Sequence, residues 1–320
     1  MNHRTPDING TPLPDTPIFI GGLERSGKTY MRLMLTAHPD WCFSKRANLW
    51  TRVYGRFGDL NDDANLDRCL GAMWANRHVR EMGLEREALR RVFHGDPRTY
   101  ARLFALLHRG YAARLGKHRW GDQTEGIELV ADRILDAFPD ARLIHMLRDP
   151  RDRYEALIAR DAGRPGRLAE ATERWRQSAA AAARNERRYP VRYRVVRYET
   201  LVLEQENTLN ELAAWLGIEP TAGMLALGHA NRFAHSPNGN SPLSAAYIGR
   251  FRANLPAHEI AYIQRRLGPL MQAQGYAPEP VRLSTGDRLR SGLLTPMTAA
   301  FTRLALDIGR AARGPLGIHK

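Results

Sequence analysis

The feature that most constrains this chain is the string Gly22–Thr29, GLERSGKT, which matches G-x-x-x-x-G-K-[ST] without a mismatch. It follows the apolar run Pro17–Gly22, which predicts a buried strand, and it precedes a helical pattern over 26–37. The glycines permit positive φ, so successive backbone N–H groups can turn toward one anion. The helix N-terminus adds partial positive charge at the same place. The string therefore predicts an oxyanion site between a strand and a helix.

The rest of the pattern predicts an α/β fold with a central parallel sheet flanked by helices. A short strand at 119–122 and buried strands at 141–147 and 191–197 are separated by helical periodicity. Strands joined through helices imply parallel pairing and ligands beyond the carboxyl ends of the strands. The region 45–116 predicts a helical insertion, and 228–249 predicts a loop rich in Asn, Ser, Pro and Gly. Helix is expected again over 257–274.

Composition favours an anionic ligand and a cytoplasmic protein. The chain of 320 residues carries 48 basic and 34 acidic residues, and only four of the basic residues are lysines. Arginine suits phosphate and sulfate oxygens, but the arginines are scattered and no nucleic-acid-binding signature is present, so we expect no nucleic-acid partner. No run of 18 apolar residues, no signal-peptide pattern and only two cysteines occur. Disulfides and a bound metal are therefore not expected.

The phosphate loop alone leaves the reaction open. An ATP-dependent small-molecule kinase uses the same string. In that case Thr29 would bind magnesium together with a carboxylate at the end of a neighbouring strand. The strand at 141–147 runs into Arg148-Asp149-Pro150-Arg151-Asp152. Asp149 could bind magnesium, whereas the flanking arginines suit a second phosphate better than a metal.

Four stretches together resemble the 3′-phosphoadenosine 5′-phosphosulfate (PAPS)-dependent sulfotransferases, especially their bacterial and tyrosylprotein-type branch. They are GLERSGKTYMRLMLTAHPD, LIHMLRDPRDRYEAL, VVRYETLVLEQENTLNELAAWLGIE and YIGRFRANLPAHEIAYIQRRLGPLMQAQGY. The likeness runs from about residue 17 to 278. It implies a P-loop-type sulfotransferase fold and an enzyme that moves a sulfuryl group from PAPS to a hydroxyl or amine. The implied acceptor is a small molecule, a glycan or a lipid.

The resemblance also implies roles for individual residues. Arg148 would bind the 3′-phosphate, Arg250 and Arg252 would close over it, and Tyr198 would lie near the adenine. The residues implied to hold the 5′-phosphosulfate are Arg25, Ser26, Gly27, Lys28 and Thr29.

The chain departs from the family pattern at four places. Lys28 stands where the family usually has threonine, and Ala156 where it has a serine. Lys45-Arg46 occupies the place of a catalytic glutamate, and Gln123 that of a lysine. A protein that binds the nucleotide with weak or no catalysis is therefore a further alternative.

In-line sulfuryl transfer builds negative charge on the leaving bridge oxygen and requires a proton acceptor. Lys28 and Arg25 are the expected catalytic cations. Asp122 and Glu125, beside Gln123, are the candidate bases, and His108 and His118 are weaker candidates.

Three segments are expected along the chain. Residues 1–16 predict a disordered lead, 17–280 a sulfotransferase domain, and 281–320 a basic amphipathic helical tail. Within the tail, 288–313 could contact a second subunit in a homodimer or lie on an anionic membrane.

Overall fold

The computed structural model describes residues 16–94, 97–159, 167–230 and 244–288. At its centre is a five-stranded sheet in the order β2-β3-β1-β4-β5, and every neighbouring pair is parallel. The strands are β1 Ile18–Gly22, β2 Trp41–Lys45, β3 Arg119–Gln123, β4 Arg142–Leu147 and β5 Tyr193–Arg197.

Helices connect the strands. Before β3 lie α1 Lys28–Thr36, α2 Leu49–Arg52, α3 Asp63–Ala75, α4 Arg77–Arg80, α5 Arg86–Phe93 and α6 Tyr100–Arg114. Between β3 and β5 lie a 3-10 turn Ile127–Val130, α7 Ala131–Ala137, α8 Pro150–Ile158 and α9 Arg167–Arg188. After β5 come α10 Tyr198–Leu203, α11 Gln205–Leu216, α12 Ala222–Ala230, a 3-10 turn Ala245–Tyr247, α13 Phe251–Asn254 and α14 Ala257–Ala273.

The described residues fall into two compact units. The first contains the sheet and comprises 16–147 and 184–230. The second comprises 148–183 and 244–288, with α8, α13, α14 and most of α9. In the second unit the ring of Trp175 meets that of Tyr276 edge-on, with centroids 6.2 Å apart.

Along each strand, successive side chains point to opposite faces of the sheet. Ser44 on β2, Asp122 on β3 and Phe19 on β1 are paired across the sheet and share one face. That face packs against α6, where Phe104 stacks on Phe19 with ring centroids 6.0 Å apart. Gln123, one residue further along β3, projects to the other face, where Arg32 of α1 reaches it.

An aromatic core supports the α6 side of the sheet. Phe19, Phe104, Trp120 and Phe138 all lie within 6.3 Å of one another by ring centroids, and all four are buried. Edge-on and tilted contacts of this kind add to the free energy gained by burying the rings.

The structure confirms the α/β class, the parallel sheet and the helical insertion, and it corrects the element assignment at three places. Trp41–Lys45 is a strand that the sequence pattern did not predict. It lies at the edge of the sheet, where its pairing with β3 holds it in the extended conformation. The strand predicted at 191–197 begins only at Tyr193 and ends at Arg197, and Tyr198 begins a helix. The predicted loop at 228–249 begins as helix, because α12 continues to Ala230.

Two predicted segments lie largely outside the described residues. They are the disordered lead at 1–16 and the amphipathic tail, of which the structure describes the chain only up to 288. The assignment of 17–280 to one domain stays a prediction. In the described part of the chain, no helix is both long enough and apolar enough to cross a bilayer.

Candidate functional site: the phosphate loop and the arginine cluster

The loop between β1 and α1 has the backbone of an anion cradle. Gly22, Arg25 and Gly27 adopt φ of 111°, 65° and 93°, and Gly27 caps the N-terminus of α1. The first N–H groups of a helix have no partner within the helix, and left-handed residues before them turn further N–H groups to the same side. The helix dipole favours negative charge at this point. The geometry therefore fits the predicted oxyanion site.

The loop is fixed from inside by its own side chains. The Ser26 hydroxyl donates to the carbonyl oxygen of Leu23 at 2.5 Å, and the Lys28 ammonium donates to that of Gly22 at 2.7 Å. Lys28 is only 7% exposed, so its charge lies at the base of the loop. Tyr198 packs against the other side: a Cβ built on Gly27 would lie 2.9 Å from its ring.

A buried polar network that the sequence did not reveal supports the start of the loop. The Gly22 N–H donates to the Glu128 carboxylate at 3.0 Å, and the Asn185 amide donates to the Glu128 carbonyl oxygen at 2.8 Å. Burial lowers the pKa of His145, although the neighbouring Glu128 opposes this shift, and burial raises the pKa of Tyr193 well above its usual value. The Tyr193 hydroxyl and Nδ1 of His145 share a hydrogen bond of 2.7 Å. Only tertiary packing brings these side chains together.

A substitution at Gly22 provides a test of how rigidly this cradle is held. A Cβ at Gly22 would lie 2.2 Å from the carbonyl oxygen of Met146 on β4, and its φ of 111° is unfavourable for any other residue. We expect Gly22→Ala to lower the free energy of unfolding by about 2 kcal/mol or more in urea denaturation. Gly71→Ala is the matched control. It lies within α3 with no atom within 4 Å of a new Cβ, so it should raise stability by about 0.5–1 kcal/mol. Equal stability of the two variants would contradict this account of the loop.

The end of β3 carries the candidate bases, and the alternation of the strand separates them. Asp122 faces α6 and is 1% exposed, and both its oxygens are occupied by hydroxyls, those of Ser44 and Thr124. Gln123 faces α1 and accepts a hydrogen bond from Arg32 Nε at 3.0 Å. Burial lowers the pKa of Arg32, and repulsion from Arg46 adds to the shift. Of the two candidate carboxylates, Asp122 is therefore held within the core.

Glu125 lies just beyond β3, next to a backbone segment whose φ angles are unusual. Its N–H donates to the side-chain oxygen of Asn48 at 3.3 Å, and the side chain is only partly buried. Arg46 and Asn48, which follow β2, both have φ near +50°, and the Arg46 N–H donates to the Gln123 carbonyl oxygen at 2.9 Å. Non-glycine residues in this region are uncommon and concentrate at functional sites. Such residues follow the ends of two strands, Arg25 after β1 and Arg46 and Asn48 after β2.

The second unit contains three arginines that we call the arginine cluster: Arg148, Arg250 and Arg252. Arg148 donates from Nη2 to the Tyr247 carbonyl oxygen at 2.8 Å, and its own carbonyl oxygen accepts from Trp175 Nε1 at 2.8 Å. The Arg250 guanidinium lies 5.3 Å from the Tyr247 ring centroid and 3.2 Å from the Glu155 carboxylate. Tyr247 therefore connects Arg148 to Arg250.

Asp152, to which the sequence assigned no role, anchors this cluster. Its carboxylate accepts from the backbone N–H groups of Gly249 and Phe251, at 2.6 and 3.0 Å, which fixes the residue between them, Arg250. Burial raises the pKa of Asp152, although these two hydrogen bonds oppose the shift. Arg252 forms a two-point ion pair with Glu279 and lies at the surface, with 59% of its side chain exposed. Arg250, with Glu155, and Arg252, with Glu279, thus both have a carboxylate partner, and Arg252 is the more exposed of the two.

Asp149 is the carboxylate that the kinase alternative would assign to magnesium. It caps α8 through the Arg151 N–H at 2.8 Å and accepts from the Arg151 guanidinium at 3.0 and 2.7 Å. Arg151 is in turn held over the Phe251 ring, 4.2 Å from its centroid. A carboxylate already neutralised by arginine is a poor magnesium ligand compared with one open to the ion. The phosphate loop and the arginine cluster, each taken by itself, therefore offer cations and N–H groups to anions.

The comparisons with known proteins agree with this arrangement. Residues 17–222 match the model of the sulfotransferase family. The chain belongs to the sulfotransferase family. A protein-tyrosine sulfotransferase of Drosophila melanogaster is 24% identical over 282 residues, covering 82% of this chain and 52% of the relative. Protein-tyrosine sulfotransferase 1 of Danio rerio is 25% identical, covering 68% of this chain and 57% of the relative. The chain thus spans about half the length of the curated relatives it matches.

A solved structure shares the fold of this sulfotransferase. The sulfotransferase domain of the Synechococcus PCC 7002 olefin synthase superposes with a TM-score of 0.57 at 20% identity, covering 88% of this chain and all of that domain. This confirms the P-loop-type sulfotransferase fold expected from the four motifs, and the family match confirms the expected family. The bacterial and tyrosylprotein-type branch stays a prediction.

Proposed function

We propose that this sulfotransferase transfers a sulfuryl group from PAPS to a hydroxyl or amine of its acceptor. The observation that carries the proposal is the phosphate loop: three left-handed residues and a helix N-terminus at the end of β1, in a chain of this family. When bound, the donor supplies the activated sulfate. The protein has to bind it, stabilise the leaving oxygen and remove a proton from the acceptor.

The loop residues hold the 5′-phosphosulfate. Backbone N–H groups from Arg25 to Thr29 bind its oxygens, and the buried Lys28 and the Arg25 guanidinium oppose the charge that develops on the leaving bridge oxygen. To reach that oxygen directly, the Lys28 ammonium has to leave the Gly22 carbonyl oxygen, which lies 2.7 Å away. A lysine at this place supplies a mobile point charge that threonine does not.

Arg148 and Arg250 bind the 3′-phosphate, with Arg252 in a supporting role because its side chain is more exposed than that of Arg250 and Glu279 holds it at two points. Guanidinium groups suit this task, since they present several donors in a fixed plane. Tyr198, which packs on Gly27, belongs to the donor site as well, although its contact is with the phosphate loop.

Glu125 is the general base of this proposal. Asp122 points into the core with both oxygens engaged, whereas Glu125 lies beyond the strand and is only partly buried. A base must reach the acceptor proton, so access decides between two carboxylates of similar chemistry.

The acceptor is a hydroxyl or amine of a small molecule, a glycan or a lipid. The curated relatives are named for protein tyrosine, whose acceptor group is a phenolic hydroxyl, and this supports a hydroxyl acceptor here. The segment 288–313 contacts either a second subunit or a membrane. A cytoplasmic location is consistent with two buried free thiols, Cys42 and Cys69, whose pKa values burial raises to about 12.

Nucleotide discrimination tests the proposal. We expect adenosine 3′,5′-bisphosphate to raise the melting temperature without metal, because a ligand that binds only the folded state stabilises it by linkage. ATP with magnesium should have little effect at the same concentration. Stabilisation by magnesium-ATP alone would instead support the kinase alternative. Bisphosphate binding without sulfate transfer to any acceptor in a broad screen would indicate a nucleotide-binding protein without catalysis.

A further inference from the structure

Four buried polar side chains form a continuous hydrogen-bonded path behind the end of β3. Asp122 Oδ1 accepts from the Ser44 hydroxyl in a very short contact, and Oδ2 accepts from the Thr124 hydroxyl at 2.6 Å. His108 Nε2 lies 3.0 Å from the Ser44 oxygen, and His108 Nδ1 lies 2.9 Å from the Phe104 carbonyl oxygen. All four residues are at most 2% exposed. The path joins β2, β3 and α6.

The donors and acceptors on this path determine how many protons it holds. A carbonyl oxygen only accepts, so His108 Nδ1 carries a hydrogen directed at Phe104. Ser44 has one hydroxyl proton but two close neighbours, Asp122 and His108. If Asp122 were a carboxylate and Nε2 unprotonated, one of these two contacts would bring lone pairs together inside the core, which is costly. One further proton therefore resides between the carboxyl and imidazole groups, with the serine hydroxyl as the bridge.

This order of groups differs from that of a hydrolytic triad. In a nucleophilic triad the serine is exposed, and the imidazole lies between it and the carboxylate. Here the serine lies between the carboxylate and the imidazole, and His108 is enclosed by Phe104 and Trp120, with ring centroids 4.1 and 5.0 Å away. These buried side chains therefore hold Asp122 in place, and a substrate cannot reach them.

We propose that His108 and Ser44 are positioning residues that hold Asp122, and through it the end of β3, in the geometry required for catalysis. Thr124, which donates to Asp122, also donates its N–H to the Ile20 carbonyl oxygen at 3.1 Å, and Glu125 follows it directly. The kinetic consequence rests on the proposed sulfuryl transfer and on Glu125 as the base. The shared proton does not depend on either.

The shared proton is tested by proton NMR of the full-length protein labelled with ¹⁵N-histidine. We expect a low-field proton resonance, protected from solvent exchange, that Ser44→Ala abolishes while the histidine Nδ1–H signal of His108 persists. His118→Phe, at an exposed histidine, is the control and should leave the resonance unchanged. A resonance pattern that Ser44→Ala leaves intact, or a wild-type protein without such a signal, would overturn the shared proton.

The positioning role is tested by kinetics. Ser44→Ala should lower kcat at least ~10-fold, because small displacements of reacting groups cost up to ~100-fold. Its affinity for adenosine 3′,5′-bisphosphate should change by less than about twofold, and Ser44→Thr, which keeps the hydroxyl, should restore turnover. The double variant Ser44→Ala/His108→Phe should lose no more than the worse single variant, because both act through Asp122.

Additive losses, or wild-type kcat in folded Ser44→Ala, would overturn the positioning role. If His108→Phe fails to fold, the Ser44→Ala and Ser44→Thr pair decides the question alone. If the wild-type protein transfers no sulfate, the proposed function fails instead, and the NMR result still decides whether the shared proton exists.

Discussion

Lys28→Met should leave the protein folded and reduce turnover at least ~100-fold, because a cation that opposes the charge developing on the leaving oxygen contributes that much or more to a transition state. The folded state loses the hydrogen bond from the ammonium to the Gly22 carbonyl oxygen, which costs about 1 kcal/mol. Steady-state kinetics with saturating PAPS would measure the effect on kcat. Most of the loss should appear in kcat, since the charge on the bridge oxygen develops only in the transition state.

Lys117→Met is the matched control for this experiment. The Lys117 ammonium also donates to a backbone carbonyl oxygen, that of Pro39 at 2.6 Å, but it precedes β3, at the opposite end of the strand from Glu125. Its turnover should equal that of the wild type. Near-normal turnover in a folded Lys28→Met protein would assign the leaving-group role to Arg25 alone.

Glu125→Gln should lower kcat at least ~100-fold and flatten the acid limb of the pH profile, because it removes the group that accepts the acceptor proton. Asp122→Asn should act differently. It breaks the path through Ser44, so kcat can fall, but the acid limb should persist because the base is still present. The profiles of kcat against pH for both variants would separate the two roles.

Asp132→Asn, at an exposed acidic residue early in α7, is the control for the change of charge. Binding of adenosine 3′,5′-bisphosphate should be the same in all three variants. An acid limb that survives Glu125→Gln and disappears in Asp122→Asn would exchange the two assignments. Wild-type rates in both would place the base elsewhere.

Local sequence rules were sufficient to predict the phosphate loop and most of the sheet. Gly22 and Gly27 lie at two of the three loop positions where φ is positive, and the apolar runs at 17–22, 141–147 and 191–197 became the strands β1, β4 and β5. These features depend on neighbours in the chain, so composition and spacing reveal them. The edge strand β2 was missed, although Trp41 and Phe43 favour a strand.

The roles of the carboxylates could not be predicted in the same way. From the sequence, Asp122 and Glu125 were equal candidates for the base, and Glu128 and Asp152 had no assigned role. The register of β3 turns Asp122 toward α6, where it meets Ser44, 78 positions away in the sequence. Glu128 reaches Gly22, and Asp152 reaches Gly249, over separations of 106 and 97 residues.

The sequence by itself therefore determined the class of fold, the family and the phosphate loop, because each depends on short-range pattern and on the conformational freedom of glycine. Only the tertiary structure decided which carboxylate is accessible, which polar groups support the loop from below and which arginines are already paired. Those properties depend on the face of a strand and on contacts between distant segments. A one-residue change in the register of β3 would turn Asp122 away from α6 without changing a single amino acid.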